Sequence, residues 1–284
     1  MGIAEIELRG AVVAVTGGGR GIGRASAQLF AERGATVCIG DLDSEAASEA
    51  ATAVGSRALP FALDVSSRRS FSEFLTACGE LAGPVDVLVN NAGVMPAGRF
   101  LEEDTSTTRT VLEVNLTGPI NGMRLVLPDM IARGRGHVVN VASLLGKTEL
   151  PGLATYTASK HALVGLSAAV RAELAGTGVT VTTVLPGIVN TELTSGITIP
   201  FARLARIEPR EVAQAIVDSC SRRQREIVVP RWMALYPTLR PFVPDALEAI
   251  VRRLLGDDRA LSAVDDAQRA SYRSRVEQQG IDRR

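Results

Sequence analysis

The stretch YTASK sets Tyr156 and Lys160 four residues apart, so a helix through it carries both side chains on one face, about one turn from each other. A free phenol, with a pKa of about 10, is a poor base at neutral pH. An ammonium one turn away stabilises the phenolate and lowers that pKa toward the working range, so the two side chains together read as a general acid/base. Only two of the 31 basic residues are lysines, and one of them stands here. A compact ammonium with three rotatable donors can hold several hydroxyls and a water at once, whereas a planar guanidinium is bulkier and fixed in its fork. The competing reading is a chance polar pair on a helix surface.

Two further residues extend the constellation. Ser143 ends the apolar run HVVNVAS thirteen residues before Tyr156, at the strand edge where open α/β folds place ligands. Its hydroxyl can donate to a carbonyl oxygen as negative charge develops there, or merely cap the strand. Asn115 precedes Pro119 by four in a helical segment. Proline has no N–H and its ring clashes with the carbonyl four residues back, so the main-chain oxygen of Asn115 is expected at a kink, free to hold a water.

The glycine-rich stretch TGGGRGIG, residues 16–23, stands between the first apolar run and the first helical segment. A turn of Gly17, Gly19, Arg20, Gly21, Ile22 and Gly23 there lets backbone N–H groups approach a pyrophosphate, with the helix dipole in support. Asp41 closes the second strand twenty residues after Gly21, where a carboxylate can accept from both hydroxyls of an adenosine ribose. A 2′-phosphate would meet Asp41 and Asp43, so NAD is favoured over NADP. Arg20 dissents, since it could turn toward a phosphate or toward solvent. Leu42 and Val65 are placed with this cofactor set.

The elements that must position these residues alternate. Short apolar runs at 11–16, 35–40, 58–63, 85–90, 137–142 and 179–185 are separated by segments of helical periodicity. Strands apolar on both sides and joined by helices predict a parallel sheet covered on both faces, a doubly wound α/β fold. Residues 8–230 form the expected dinucleotide-binding and catalytic domain, and 231–284 a C-terminal extension. In that extension, residues 231–244 carry Pro237, Pro241 and Pro244, which forbid a continuous helix. They also carry Trp232, Met233, Leu235, Tyr236, Phe242 and Val243, too apolar to leave in water. A capped amphipathic helix is predicted from Asp245 to Gly256, with Leu247, Ile250, Val251, Leu254 and Leu255 on one face.

Composition excludes some functions. Thirty-one basic residues balance 31 acidic ones, so no overall field draws the chain to nucleic acid or to an anionic membrane. Cys38, Cys78 and Cys220 are odd in number and lie in apolar segments, which reads as buried thiols in a reducing compartment. No leader or membrane-spanning run is evident in the sequence, and a cytoplasmic location is expected.

Taken together, TGGGRGIG, NNAG at 90–93, Asn115, Ser143, YTASK and Pro186-Gly187 resemble the short-chain dehydrogenase/reductase family over about residues 8–230. The resemblance implies a Rossmann fold, a nicotinamide cofactor and a tetrad of Asn115, Ser143, Tyr156 and Lys160. Tyr156 would exchange the proton with the substrate hydroxyl, Ser143 would orient it, Lys160 would bind the nicotinamide ribose and Asn115 would hold a relay water. It further implies adenine contact by Asp64, a cofactor lining by Asn91, Ala92 and Gly93, and carboxamide and phosphate contacts by Ile188 and Thr191. A homotetramer or dimer is the family expectation. His137 and His161 flank the motifs and are read as structural, and no metal is expected.

Met95, Leu145, Leu150, Leu153 and Leu193 are the candidate substrate pocket, with Pro96, Leu144 and a lid from Leu193 to Phe201 beside them. Lys147 is the one basic group near it. Such a lining favours a hydrophobic secondary alcohol or ketone, steroid-like, terpenoid, retinoid or long-chain. An NAD-binding redox sensor without turnover, or a sugar-nucleotide epimerase or dehydratase, shares the fold, but the intact tetrad speaks against the first and NNAG against the second. The extension could close over the pocket, meet a neighbouring subunit or rest on a membrane; packing on the protein itself is the expectation, with a membrane not expected as partner.

Overall fold

A computed structural model of the chain describes residues 5–194, 206–239 and 242. Seven parallel strands form one sheet: β1 (Val12–Thr16), β2 (Thr36–Asp41), β3 (Ala58–Ala62), β4 (Val87–Asn90), β5 (Gly136–Val141), β6 (Val179–Pro186) and, last in the chain, β9 (Glu226–Val229). Their spatial order is β3-β2-β1-β4-β5-β6-β9, so the order reverses between β1 and β4. A short parallel pair, β7 (Ile188–Val189) and β8 (Arg206–Ile207), stands apart from it. Helices α1 (Gly21–Glu32), α2 (Ser44–Val54), α3 (Arg68–Ala82), α4 (Thr105–Leu112), α5 (Gly118–Ala132), α6 (Ala154–Glu173) and α7 (Pro209–Arg222) connect the strands. This is the doubly wound Rossmann architecture that the alternating runs predict.

Alternation along β1 shows how both faces are filled. Val13 and Val15 pack with Phe30 of α1 and Ile216 of α7, whereas Val12 and Ala14 face Phe71 of α3 and Met130 of α5. Each strand residue therefore loses its water to one helical layer or the other, which is why the runs read as continuously apolar. β3 departs from that expectation. It is the sheet's edge, carries Pro60 and is only partly buried, and an edge is where a strand can hold a residue without an N–H.

The C-terminal segment also differs from expectation. Residues 231–234 form a 3-10 turn that runs into α8 (Leu235–Leu239), so helical backbone continues through Pro237. Proline is tolerated there because the first helical turn has no partner for its N–H. Trp232, Leu235, Tyr236 and Phe242, expected to lie against protein, are exposed. The helix predicted at 245–256 and lid residues 195–201 lie outside the described residues.

Candidate active site

The turn between β1 and α1 is built on absent side chains. Gly17 has φ +62°, and a Cβ on it would stand 2.8 Å from the Cα of Ala92. A Cβ on Gly23 would overlap the carbonyl oxygen of Gly17. Gly19 and Gly23 stand behind the wall of a cavity of about 440 Å³, into which Gly17, Arg20, Gly21 and Ile22 open. The first turn of α1 has neither a side-chain cap nor an acidic residue, in contrast to α2 and α3, which Asp43 and Ser67 cap. An uncapped helix N-terminus on a cavity wall is suited to an anion.

At the end of β2, Asp41 accepts from the N–H of Gly19 at 2.9 Å and of Asp43 at 3.1 Å. Burial pushes its carboxyl up from the ordinary value, against the pull of those two amides. Arg20 stays at the surface, where it pairs with Asp43 at 2.7 Å. That hydrogen bond, followed by the one from Ala46, holds the Asp43 carboxyl below its usual range. Leu42, Asp64 and Val65 line the same end of the cavity, with Asp64 accepting from the N–H and hydroxyl of Ser66.

The NNAG segment forms the adjoining wall through Asn91, Ala92 and Gly93. Thr16, which sequence reasoning missed, anchors it: its Oγ1 accepts from the N–H groups of Asn91 and Ala92 at 3.0 and 3.1 Å. Asn91 returns two hydrogen bonds through Nδ2, to the carbonyls of Thr16 and Gly17. Pro186, Gly187, Ile188 and Thr191 supply the opposite wall. Only glycine at 21 lets Thr191 come so near the N-terminus of α1, since a Cβ there would be 3.1 Å from its methyl.

On α6, Tyr156 and Lys160 are both buried and both line the cavity. The Lys160 ammonium donates to the carbonyl of Val141 at 3.0 Å and stands 5.6 Å from the centre of the Tyr156 ring. Burial lowers the Lys160 pKa to about 8. Ser143 lines the same cavity and accepts from the N–H of Leu145 at 3.1 Å, which leaves its own proton to donate.

Asn115 does not reach the cavity wall. It lies in a π-helical turn, Glu113–Thr117, between α4 and α5, where the N–H of Gly118 donates to the carbonyl of Glu113. The expected kink is thus a π turn, a feature frequent at functional sites. Its side chain accepts from the N–H of Val94 and donates to the Val94 carbonyl, both at 2.9 Å, and donates to Ser159 at 3.1 Å. Ser159 in turn donates to the carbonyl of Tyr156. Asn115 therefore joins the segment after NNAG to α6, a side-chain role that reasoning from its main chain did not find.

The far end of the cavity is apolar. Met95, Leu145, Leu150, Leu153 and Leu193 all reach it, packed around Tyr156, and Leu144 adds to the wall. Lys147 does not: it pairs with Glu226 at 3.0 Å in a separate hollow. Met233 was not expected here, yet it lines the cavity beside Gly187, where a Cβ would be 2.8 Å from its sulfur. No periodicity or motif in a proline-rich tail announces such a contact. His137 is buried between Thr180 and Ser219, and His161 is exposed on α6.

Comparison with known proteins adds to this geometry. The chain is 35% identical over 264 residues to the probable oxidoreductase EphD of Mycobacterium tuberculosis, an alignment that covers 85% of this chain and 44% of that protein. It thus spans less than half the length of that relative. It is 35% identical over 227 residues to the ketoacyl reductase HetN of a Nostoc species, with 78% and 79% covered. Among solved structures, the 3-ketoacyl-(acyl-carrier-protein) reductase of Brucella melitensis complexed with NADH superposes with a TM-score of 0.72 at 29% identity, covering 78% of this chain and 97% of that one. Residues 11–199 match the family model described as short chain dehydrogenase, and the chain belongs to the short-chain dehydrogenase family.

Proposed function

We propose that the chain is an oxidoreductase that transfers a hydride between NAD and a hydrophobic secondary alcohol or its ketone, with Tyr156 as general acid/base. The observation that carries this reading is one cavity holding Tyr156, Lys160 and Ser143 at its apolar end and an uncapped glycine turn at the other. The residues present fit a dinucleotide. Gly17 and Gly21 leave room for a pyrophosphate at the N-terminus of α1, Thr191 stands against it, and Asp41 faces the ribose position. When bound, the nicotinamide ring supplies or accepts the hydride.

The proton is the business of this chain. Tyr156 takes the hydroxyl proton in the oxidative direction and returns it in reduction, while Ser143 donates a hydrogen bond to the substrate oxygen in both. The Lys160 ammonium holds the phenolate form within reach of neutral pH by placing positive charge beside it. Asn115 positions Tyr156 through Ser159 and fixes the Val94 backbone that closes the cavity. Leu150, Leu153 and Met95 exclude water from the reacting centre.

NAD is preferred over NADP because a 2′-phosphate would set its charge against Asp41 and would have to part Arg20 from Asp43. A ketoacyl group is the second reading of the substrate, supported by the names of the Nostoc and Brucella relatives. The test is a titration of wild type and Tyr156→Phe with NAD and NADP, followed by a screen of apolar alcohols for cofactor reduction. NAD binding by both chains with turnover only by wild type is expected. Binding without turnover across the screen would point to a redox sensor instead, and turnover confined to small charged hydroxy acids would overturn the apolar substrate class.

A further inference from the structure

Tyr156 stands in the first turn of α6, the part of a helix that frays most readily, whereas Lys160 lies one turn further in. Leu153, at the N-cap, makes no side-chain cap, and the first turn holds no acidic residue, although the N–H groups of a helix start favour a negative charge. That charge comes from another segment. Glu103 Oε1 accepts from the hydroxyl of Thr155, the residue before Tyr156, at 2.6 Å, and from the hydroxyl of Thr108 on α4, also at 2.6 Å. Both lengths are those of charge-assisted hydrogen bonds from a hydroxyl to a carboxylate. Thr155 is buried and Glu103 half-buried, so water competes weakly for these bonds.

A second tie joins the same two segments. The N–H of Gly98 donates to the carbonyl of Gly152 at 3.0 Å. The stretch that follows NNAG, from pocket residue Met95 to Glu103, is thus stitched twice to residues 152–155, immediately before Tyr156. Beyond Glu103 the chain enters α4, which runs into the π turn of Asn115. One carboxylate therefore joins the element that leads to Asn115 to the turn that carries Tyr156. We infer that Glu103 is a positioning residue for the general acid/base: through Thr155 it holds the first turn of α6, and with it the phenol, in place in the cavity. A reacting group displaced by about 1 Å can cost about 100-fold in rate, and a fraying turn would allow such a displacement. The catalytic consequence rests on the dehydrogenase reading above; the clamp on α6 does not.

Four variants of the full-length protein separate this role from plain support of the fold, with steady-state rates and amide hydrogen exchange by mass spectrometry as readouts. Glu103→Ala and Thr155→Val should lower kcat about tenfold or more, leave KM for NAD unchanged and speed exchange in residues 150–157. Glu103→Gln, whose amide oxygen still accepts, should recover most of the rate. Thr108→Val, which releases only α4, should leave kcat near the wild-type value. Equal losses of kcat in Thr155→Val and Thr108→Val overturn the inference, because the tie to α6 would then have no special share in the effect. So does unchanged exchange at 150–157, or an unchanged kcat, in Glu103→Ala. Faster exchange at 150–157 in Glu103→Ala, in a protein that turns over no alcohol, would sink the proposed function and leave the clamp standing.

Discussion

Lys160 brings its charge into a site that disfavours charge, and the cost is measurable. Burial drops its pKa from 10.5 to about 8, so the ammonium is disfavoured in the fold relative to the unfolded chain. The unfolded state binds more protons between those two values, and stability therefore rises with pH from about 8 to 10.5, with the full penalty present below 8. Lys160→Met should accordingly raise stability at pH 7 by about 3 kcal/mol while lowering kcat/KM by about 100-fold or more. Urea midpoints and initial rates on the two proteins check both signs; a variant that is both less stable and fully active refutes the account. The need for a lysine here was legible from YTASK. Asn115 was legible as a residue of interest, but from its main chain, and the three bonds of its side chain depend on Val94 and Ser159, which only folding brings near.

At the scale of elements, the turn before α1 and the turns within helices treat glycine differently. Gly23→Ala should abolish dinucleotide binding, because its Cβ would overlap the Gly17 carbonyl and force the turn open. Gly79→Ala, in the last turn of α3 with nothing within 4 Å of the new Cβ, should instead stabilise the protein by about 0.5–1 kcal/mol. Isothermal titration of NAD and thermal melts on both variants separate the two effects; equal behaviour would show that crowding at Gly23 is not the constraint. The strand and helix alternation was readable because both faces of the sheet are covered and each run is uniformly apolar. The edge position of β3 and the π turn at Glu113–Thr117 were not, since strand order and an extra residue per turn leave no period in the sequence.

Across the whole molecule, His137 joins β5 to β6 and α7 through Thr180 and Ser219. Burial first, and then the charge of Arg223, lower its pKa to about 3. The unfolded chain takes up a proton near pH 6.5 that the fold refuses, so stability falls as pH drops through the window from about 6.5 to 3, by about 1.4 kcal/mol per unit at full slope. Denaturant unfolding of wild type and His137→Gln across that range should show a shallower acid limb in the variant; parallel limbs would remove His137 from the acid response.

Local spacing determined much of this protein: the Tyr156–Lys160 pair, the glycine turn, Asp41 at the end of a strand and the parallel fold all follow from short-range pattern, because one helical turn or one strand suffices to express them. Tertiary structure decided what depends on distant segments meeting. It paired Arg20 with Asp43, drew Lys147 away to Glu226, and set Thr16 under the NNAG backbone. It also turned Met233 into the cavity and Trp232 out of the protein. Apolar content told that residues 231–244 prefer to leave water, but which side of residues 231–239 the protein itself covers is fixed only by where β9 delivers them.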